Sequence, residues 1–383
     1  MKKSISKRIL KTILFILVVI ISLVVLINVP VITLSHKSSD NDYSNWMSET
    51  IDDSKLVVDI AMLGAHDAFS NEINIFSKID PYETNTIMQG FTGFLVKGFI
   101  TKQSVTQISD ADTLLKSGVR YLDIRLSYYE ETWYTKHNYL SGDFEPIANQ
   151  ITNFLDNNSG EFLILDFQHI HGVDYSSLDD YNIFTQMLDS YGLIGYTHVI
   201  NDLSTLTYGE LTENGTESRV IIVSKFENST MDVLNYEDSI MSNWADSDDF
   251  EYVENFLIEE ANSIETDNTY GKLRVMQAVT TMQMSGSGIL NTITAWSLIN
   301  RAKKFNAYLL ENDQFENLLN ELPIIMVDYA DTNSQDFNDN IMEIIMDFNW
   351  NPWFLYIYKE KHKISKKNTC IIFSNLIWYI SLR

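Results

Sequence analysis

A single cysteine, Cys370, stands in 383 residues, so neither an intramolecular disulfide framework nor a cysteine-built zinc site can form. Proline (5) and glycine (15) are scarce, which excludes collagen-like and proline-rich linker architectures. Positive charge is also short: 27 Lys and Arg face 52 Asp and Glu, a formal net charge of −25. The deficit is uneven. Residues 1–36 hold five basic residues and no acidic one, and residues 359–383 hold six basic residues and one acid, Glu360. The stretch 37–358 therefore carries 16 basic against 51 acidic residues, net −35. Neutralisation of phosphates by Lys and Arg is the main source of nucleic-acid affinity, so no nucleic-acid partner is expected.

What is present is apolar and aromatic: 45% hydrophobic residues, with 7 Trp, 20 Tyr and 20 Phe, enough to bury a core. At roughly 150 residues per domain the length suggests two or three domains, but α/β barrels routinely use about 250 or more as one. The uncharged run from Thr12 to Ile27, TILFILVVIISLVVLI, continues in apolar character to Leu34. That is about the 20 residues a helix needs to cross a bilayer. The basic cluster before it orients the N-terminus inward and the remainder outward. A retained signal anchor and a cleaved signal peptide are the two readings; no small-x-small cleavage site follows the run. A single-pass membrane protein with its folded part outside is expected, or a secreted one if the segment is cleaved. At the other end, basic KEKHKISKK precedes TCIIFSNLIWYISL, too short to span comfortably. It reads as an interfacial segment or as a poorly ordered tail. The divisions are thus 1–36 (basic stub and anchor), 37–350 (folded domain) and 351–383 (tail), in an expected monomer.

Between these ends, short β-branched runs alternate with helical patterns. Leu56–Leu63, Val119–Leu126, Phe162–Phe167, Arg219–Phe226, Leu273–Val279 and Ile324–Tyr329 read as strands, and Ser109–Ser117, Glu145–Leu155 and Trp296–Leu310 as helices. Near-continuous apolar strands separated by helices imply a parallel sheet buried on both faces. The economical closure is a (β/α) barrel of the TIM type, irregular or incomplete closure included, preceded by one N-terminal transmembrane helix. No Gly-rich phosphate loop follows the first strand, which disfavours an open doubly wound sheet.

Catalytic residues of such barrels come from the C-terminal ends of strands. Those ends offer His66 and Asp67, then Asp123 and Arg125, His137 in the following loop, Asp166, Lys225 and Asp328. Two imidazoles, a guanidinium and several carboxylates suit acid–base chemistry on a phosphate ester. Zinc hydrolysis fits less well, since HExxH is lacking and His169 and His171 supply the sole HxH spacing. His169, His171 and His198 read as surface or core residues.

Leu63-Gly64-Ala65-His66-Asp67, with Trp46-Met47 upstream, resembles the opening motif of phosphatidylinositol-specific phospholipase C X domains. Gly118–Arg125 (GVRYLDIR) is similar to that family's second-strand motif, and His137 follows at the family's distance. The resemblance covers about residues 45–335 and implies a TIM-type phosphodiesterase barrel. It implies His66 as the base that deprotonates the inositol 2-hydroxyl and His137 as the acid that protonates the departing diacylglycerol oxygen. Arg125 would hold a nonbridging phosphate oxygen, Asp328 would orient His66, and Asp67 would do the same for His137. The product would be a cyclic inositol phosphate, making the reaction a lyase reaction. Where the eukaryotic branch places an Asn and a Glu-x-Asp as calcium ligands, this chain has Asp67, Asp123 and Arg125, as in the bacterial branch. No metal is therefore expected, Ca²⁺ being the lesser alternative. Asp123, Asp166 and Lys225 are candidate substrate-binding residues. The bacterial inositol-gripping positions are not matched, since Asp166-Phe167-Gln168-His169 lacks their Lys, so a non-inositol phosphodiester stays open. So does a catalytically inactive barrel serving as a cell-surface binding module.

Overall fold

The structure, a computed structural model, describes residues 2–28, 36–84, 91–230, 232–283 and 297–350. Its centre is a curled sheet of β1 (Met62–Ala65), β2 (Val119–Tyr129), β3 (Thr132–His137), β4 (Tyr139–Asp143), β5 (Phe162–His171), β6 (Arg219–Ser224), β7 (Leu234–Asn235), β8 (Ile240–Met241), β9 (Leu273–Ala278) and β10 (Ile324–Val327). The order β7-β6-β5-β2-β1-β10-β9-β8 is parallel throughout, and an antiparallel β3–β4 hairpin hangs from β2. β1, β9 and β10 are buried along their whole length, as expected of strands covered on both faces.

Among the described residues no ladder joins β7 to β8, so the barrel is not closed by hydrogen bonds. Only the helical turn Tyr236–Ser239 separates these edge strands in the chain. At about 1.5 Å per helical residue that turn brings the edges together, and the sheet must curl nearly full circle. The expected TIM-type barrel is thus present in irregular, incompletely closed form.

Two of the expected elements are shifted. Of Leu56–Leu63, only the end enters β1, because Val57–Asp59 forms a 3-10 turn and Leu56 bridges to Thr207. The helix expected over 296–310 runs from Leu298 to Glu311. Gly64 is required where it stands. A Cβ there would lie 2.9 Å from the Tyr121 ring and 3.3 Å from Met326 Cα, so β1 could not sit between its neighbours. Gly118, which ends the helix Ala111–Lys116, takes φ +94, the left-handed cap that admits β2. Helix Phe144–Asn157 turns Phe144, Ala148, Ile151, Phe154 and Leu155 inward, the 3.6-residue stripe of a helix covering a sheet.

At the N-terminal end of the strands Arg120 and Glu161 form a fully buried ion pair, Nε to Oε2 2.8 Å. Burial disfavours both charges, so each depends on the other. Glu161→Ala is expected to cost about 3–5 kcal/mol, measured as a lowered urea midpoint at unchanged slope.

Lys2–Asn28 forms one α-helix, whose residues Leu14 and Phe15 are exposed. Among the described residues no helix is long and apolar enough to cross a membrane. The tail 351–383 lies outside the described residues.

Candidate active site

The C-terminal ends of β1, β2 and β10 bring one group of polar side chains together. His66 directly follows β1, and its Nδ1 donates to Asp328 Oδ1 at 2.7 Å, just past β10. That bond leaves Nε2 facing the opening. Asp67 has φ 42, a left-handed conformation that Asp tolerates better than most residues. Its backbone N–H donates to Asp123 Oδ2 at 3.0 Å, and its carboxylate points inward instead of continuing the strand. Arg125 Nε lies against Asp67 Oδ1. One of its terminal nitrogens is 3.7 Å from Asp123 Oδ2 and 3.4 Å from His66 Nε2.

His137 does not lie in a loop, as the sequence suggested, but ends β3. Its Nδ1 donates to the Ser104 carbonyl at 2.9 Å, and Nε2 is 3.3 Å from Asp67 Oδ2. The His66 and His137 rings meet edge-on with centroids 6.4 Å apart. His66, His137 and Arg125 keep 16, 20 and 25% of their side-chain exposure, so a ligand can reach them, whereas Asp67 and Asp123 are sealed.

The electrostatics separate the two histidines. Burial works against an imidazolium at both. At His66 the carboxylates of Asp67 and Asp328 outweigh it and raise the pKa to about 9. At His137 burial prevails over Asp67, with Arg125 and His66 adding repulsion, and the pKa falls. Burial would protonate Asp67, but Arg125, His137 and His66 together hold it well below the usual carboxylate range.

Asp166 and Lys225, the other predicted substrate contacts, lie beside this group and not in it. Burial, reinforced by Asp123, lifts the Asp166 carboxyl to about 8, so it is largely protonated at neutral pH. The Tyr121 hydroxyl donates to Asp166 at 2.5 Å, and Gln168 Nε2 spans Asp166 and Asp123 at 3.2 and 3.4 Å. Lys225 Nζ sits 4.7 Å over the Tyr236 ring. His169 needs correction as a surface or core residue: an irregularity between β2 and β5 pairs it with Arg125 at the opening. Burial, with Arg125 and Lys225 close by, lowers its pKa to about 3. His171 donates instead to buried Asp80 at 2.5 Å.

Sequence reasoning missed Ser104, Thr106, Gln107 and Tyr236. The first three act through main-chain groups, which leave no pattern in the sequence.

His66, Asp67 and Asp123 present one donor atom each within 4.8 Å of one another. Calcium takes six to eight oxygen ligands, and here two carboxylates and an imidazole already surround a guanidinium. The residues do not fit that ion.

No family model matches the chain. It is similar to the PI-PLC X domain-containing protein 3 of Danio rerio, 30% identical over 148 residues, covering 36% of this chain and 46% of the relative. It is also similar to the variant-surface-glycoprotein phospholipase C of Trypanosoma brucei brucei, 30% identical over 145 residues, 34% of this chain and 40% of the relative. The matched stretch thus spans less than half the length of either. Among solved structures, a Staphylococcus aureus phosphatidylinositol-specific phospholipase C superposes with TM-score 0.54 at 18% identity, covering 81% of this chain and 99% of that one. The Listeria monocytogenes enzyme gives 0.52 at 17%, covering 79% and 98%.

The fold is therefore the incompletely closed barrel of the phosphatidylinositol-specific phospholipases C. In sequence, about a third of the chain is similar to a PI-PLC X domain-containing protein and to a variant-surface-glycoprotein phospholipase C.

Proposed function

We propose that the chain is a phospholipase C-type phosphodiesterase that cleaves phosphatidylinositol-type diesters to a cyclic inositol phosphate and diacylglycerol. The observation that carries this reading is the pair of partly exposed imidazoles 6.4 Å apart, each backed by a different carboxylate, with Arg125 beside them. His66, its tautomer set by Asp328, takes the proton of the hydroxyl next to the phosphate through Nε2. That oxygen attacks phosphorus, the bond to the glycerol oxygen breaks, and His137 gives the leaving oxygen its proton. The nucleophile belongs to the same molecule as the phosphate, a large effective-molarity advantage.

In the resting site the proton resides on His66, the reverse of these roles. Catalysis then runs through the minor form in which His66 is neutral and His137 protonated, and a phosphodiester anion seated beside His137 and Arg125 adds negative charge that favours the proton on His137.

The reaction uses Arg125 as its cation and no metal, a reading supported by the guanidinium lying against Asp67 and Asp123. Turnover is expected to be unchanged by EDTA and by added Ca²⁺; loss of turnover in EDTA would overturn the metal-free reading. Lys225 would contact the head group, whereas Asp123 and Asp166, expected as direct contacts, are fully buried and would act on it only through Arg125, Gln168 and Tyr121.

The apolar N-terminal segment would hold the protein in a membrane with the barrel outside the cytoplasm, or release it as a secreted enzyme if cleaved. Two features fit a lipid substrate. Ile75 and Phe76, 51 and 86% exposed, lie on the connection after β1, and exposed Trp244 on the connection after β8, all leaving the same rim. The reading is tested by phosphorus NMR of phosphatidylinositol vesicles incubated with the protein, where a cyclic phosphodiester resonance is expected. Absence of any hydrolysis would favour the inactive barrel acting as a binding module, and hydrolysis of other diesters alone would move the substrate away from inositol.

A further inference from the structure

The turn after helix Phe91–Ser104 bonds to His66, Asp67 and His137 and to the main chain on both sides of Asp328. Ser104 accepts from His137 Nδ1 through its carbonyl and from Asn138 through its hydroxyl at 3.1 Å. Thr106 Oγ1 donates to the Asp67 carbonyl at 2.9 Å, and the Thr106 carbonyl accepts from Tyr329 N at 2.7 Å. Gln107, fully buried, does the most. Its Nε2 donates to the carbonyls of His66 at 3.1 Å and Val327 at 2.9 Å, and its Oε1 accepts from Ala330 N at 3.0 Å. Both N–H donors of this amide and one of the two acceptor positions of its oxygen are thereby used. Its orientation is also settled, because the reverse would set oxygen against two carbonyl oxygens.

The bonds from Gln107 reach the residue that is His66 on one strand and residues on both sides of Asp328 on the other. β1 and β10 are neighbours in the sheet, their paired residues ending at Ala65 and Val327, and one more main-chain bond, from His66 N to the Val327 carbonyl at 3.1 Å, joins the chains just past them. Past that single bond the His66–Asp328 contact depends on two loops keeping their relative position, and Gln107 Nε2 shares the same Val327 carbonyl. We propose that Gln107 is a positioning residue that locks His66 and Asp328 in register by tying the main chains carrying them. This rests on the His66 assignment made above.

Two isosteric variants test it. Gln107→Met keeps the volume and loses all three bonds. Gln107→Glu keeps the acceptor for Ala330 N, loses the donors, and adds a carboxylate near His66. A misplacement of about 1 Å at a reacting group costs about 10²-fold, so kcat should fall about that much in Gln107→Met with KM little changed. The second readout is the titration of His66 followed by NMR of its ring protons. The groups facing His66 are Asp328, Asp67, Arg125 and His137. Loosening the bond to Asp328 removes support for the imidazolium, so the midpoint should move down in Gln107→Met. The added carboxylate should move it up in Gln107→Glu.

A structural role alone would lower the melting temperature and leave the Gln107→Met midpoint in place, which would overturn the proposal, as would unchanged kcat. Should Gln107→Met fail to fold, the His66 Nδ1–H resonance in Gln107→Glu decides the matter: an upfield shift of the proton bonded to Asp328 supports the lock, and an unchanged resonance overturns it. Should the parent protein hydrolyse no diester, the functional reading fails, yet the Gln107→Met titration and the Nδ1–H resonance still test the register lock by themselves.

Discussion

Replacing His66 by alanine is expected to lower kcat on phosphatidylinositol vesicles by about 10²–10⁴-fold, the range for removal of a placed general base. The loss should fall on kcat, since His66 meets a hydroxyl proton and not the lipid chains. The pH profile supplies an independent check. Asp67 and Asp328 overcome burial to hold the His66 imidazolium to about pH 9, and the upper limb of the kcat/KM profile should lie near there. No other group in direct contact with His66 is held near that value, so the limb should disappear in His66→Ala. The inflection set by His137 below its ordinary value should remain but change sense, activity now falling as pH rises through it, because only the acid's proton is then required. The interacting pair titrates as a unit, so the limb that vanishes identifies the residue. A limb near pH 9 that survives in His66→Ala would remove His66 from the role of base.

Arg125→Lys is expected to cost about 10²–10³-fold in kcat, the usual result of deleting one donor to a developing oxyanion. Charge is conserved in this substitution, so the loss isolates geometry. The guanidinium reaches Asp67 through Nε and both Asp123 and the His66 ring through a terminal nitrogen. An ammonium cannot bridge those groups and still offer a parallel pair of donors to phosphate. Initial rates over a range of vesicle concentrations separate kcat from KM; a change in KM alone would mean that Arg125 only helps collect substrate.

Much of this site was legible before the fold was known. Polar residues stand near or just after the ends of most apolar strand runs, and parallel strands put all such ends on one side. His66, Asp67, Asp123, Arg125 and Asp328 therefore had to share a rim once the strand segments were recognised. His137 belongs to the same rim but was misplaced in a loop, for a definite reason. The turn joining β2 to β3 has Glu130 and Glu131 at its centre, with φ 50 and 62, where Asn-Gly or Asp-Gly would ordinarily announce a hairpin. The alternation of Thr132–His137 therefore lacked its usual punctuation. His169 was misjudged because its position depends on an irregular register between Asp123 and Arg125 of β2 and their partners on β5, a property of two strands at once.

Local sequence determined the elements, because apolar run length, helical spacing and glycine at a required backbone angle act within a few residues. It also determined the residue types of the site, since two histidines, an arginine and carboxylates at strand ends admit few chemistries. Tertiary structure alone decided how nearly the sheet closes, which histidine carries the resting proton, and that Gln107 ties together main chains 41 and 220 residues away. Those outcomes depend on through-space distance, desolvation and bonds to peptide groups, and every residue contributes the same peptide group whatever its side chain.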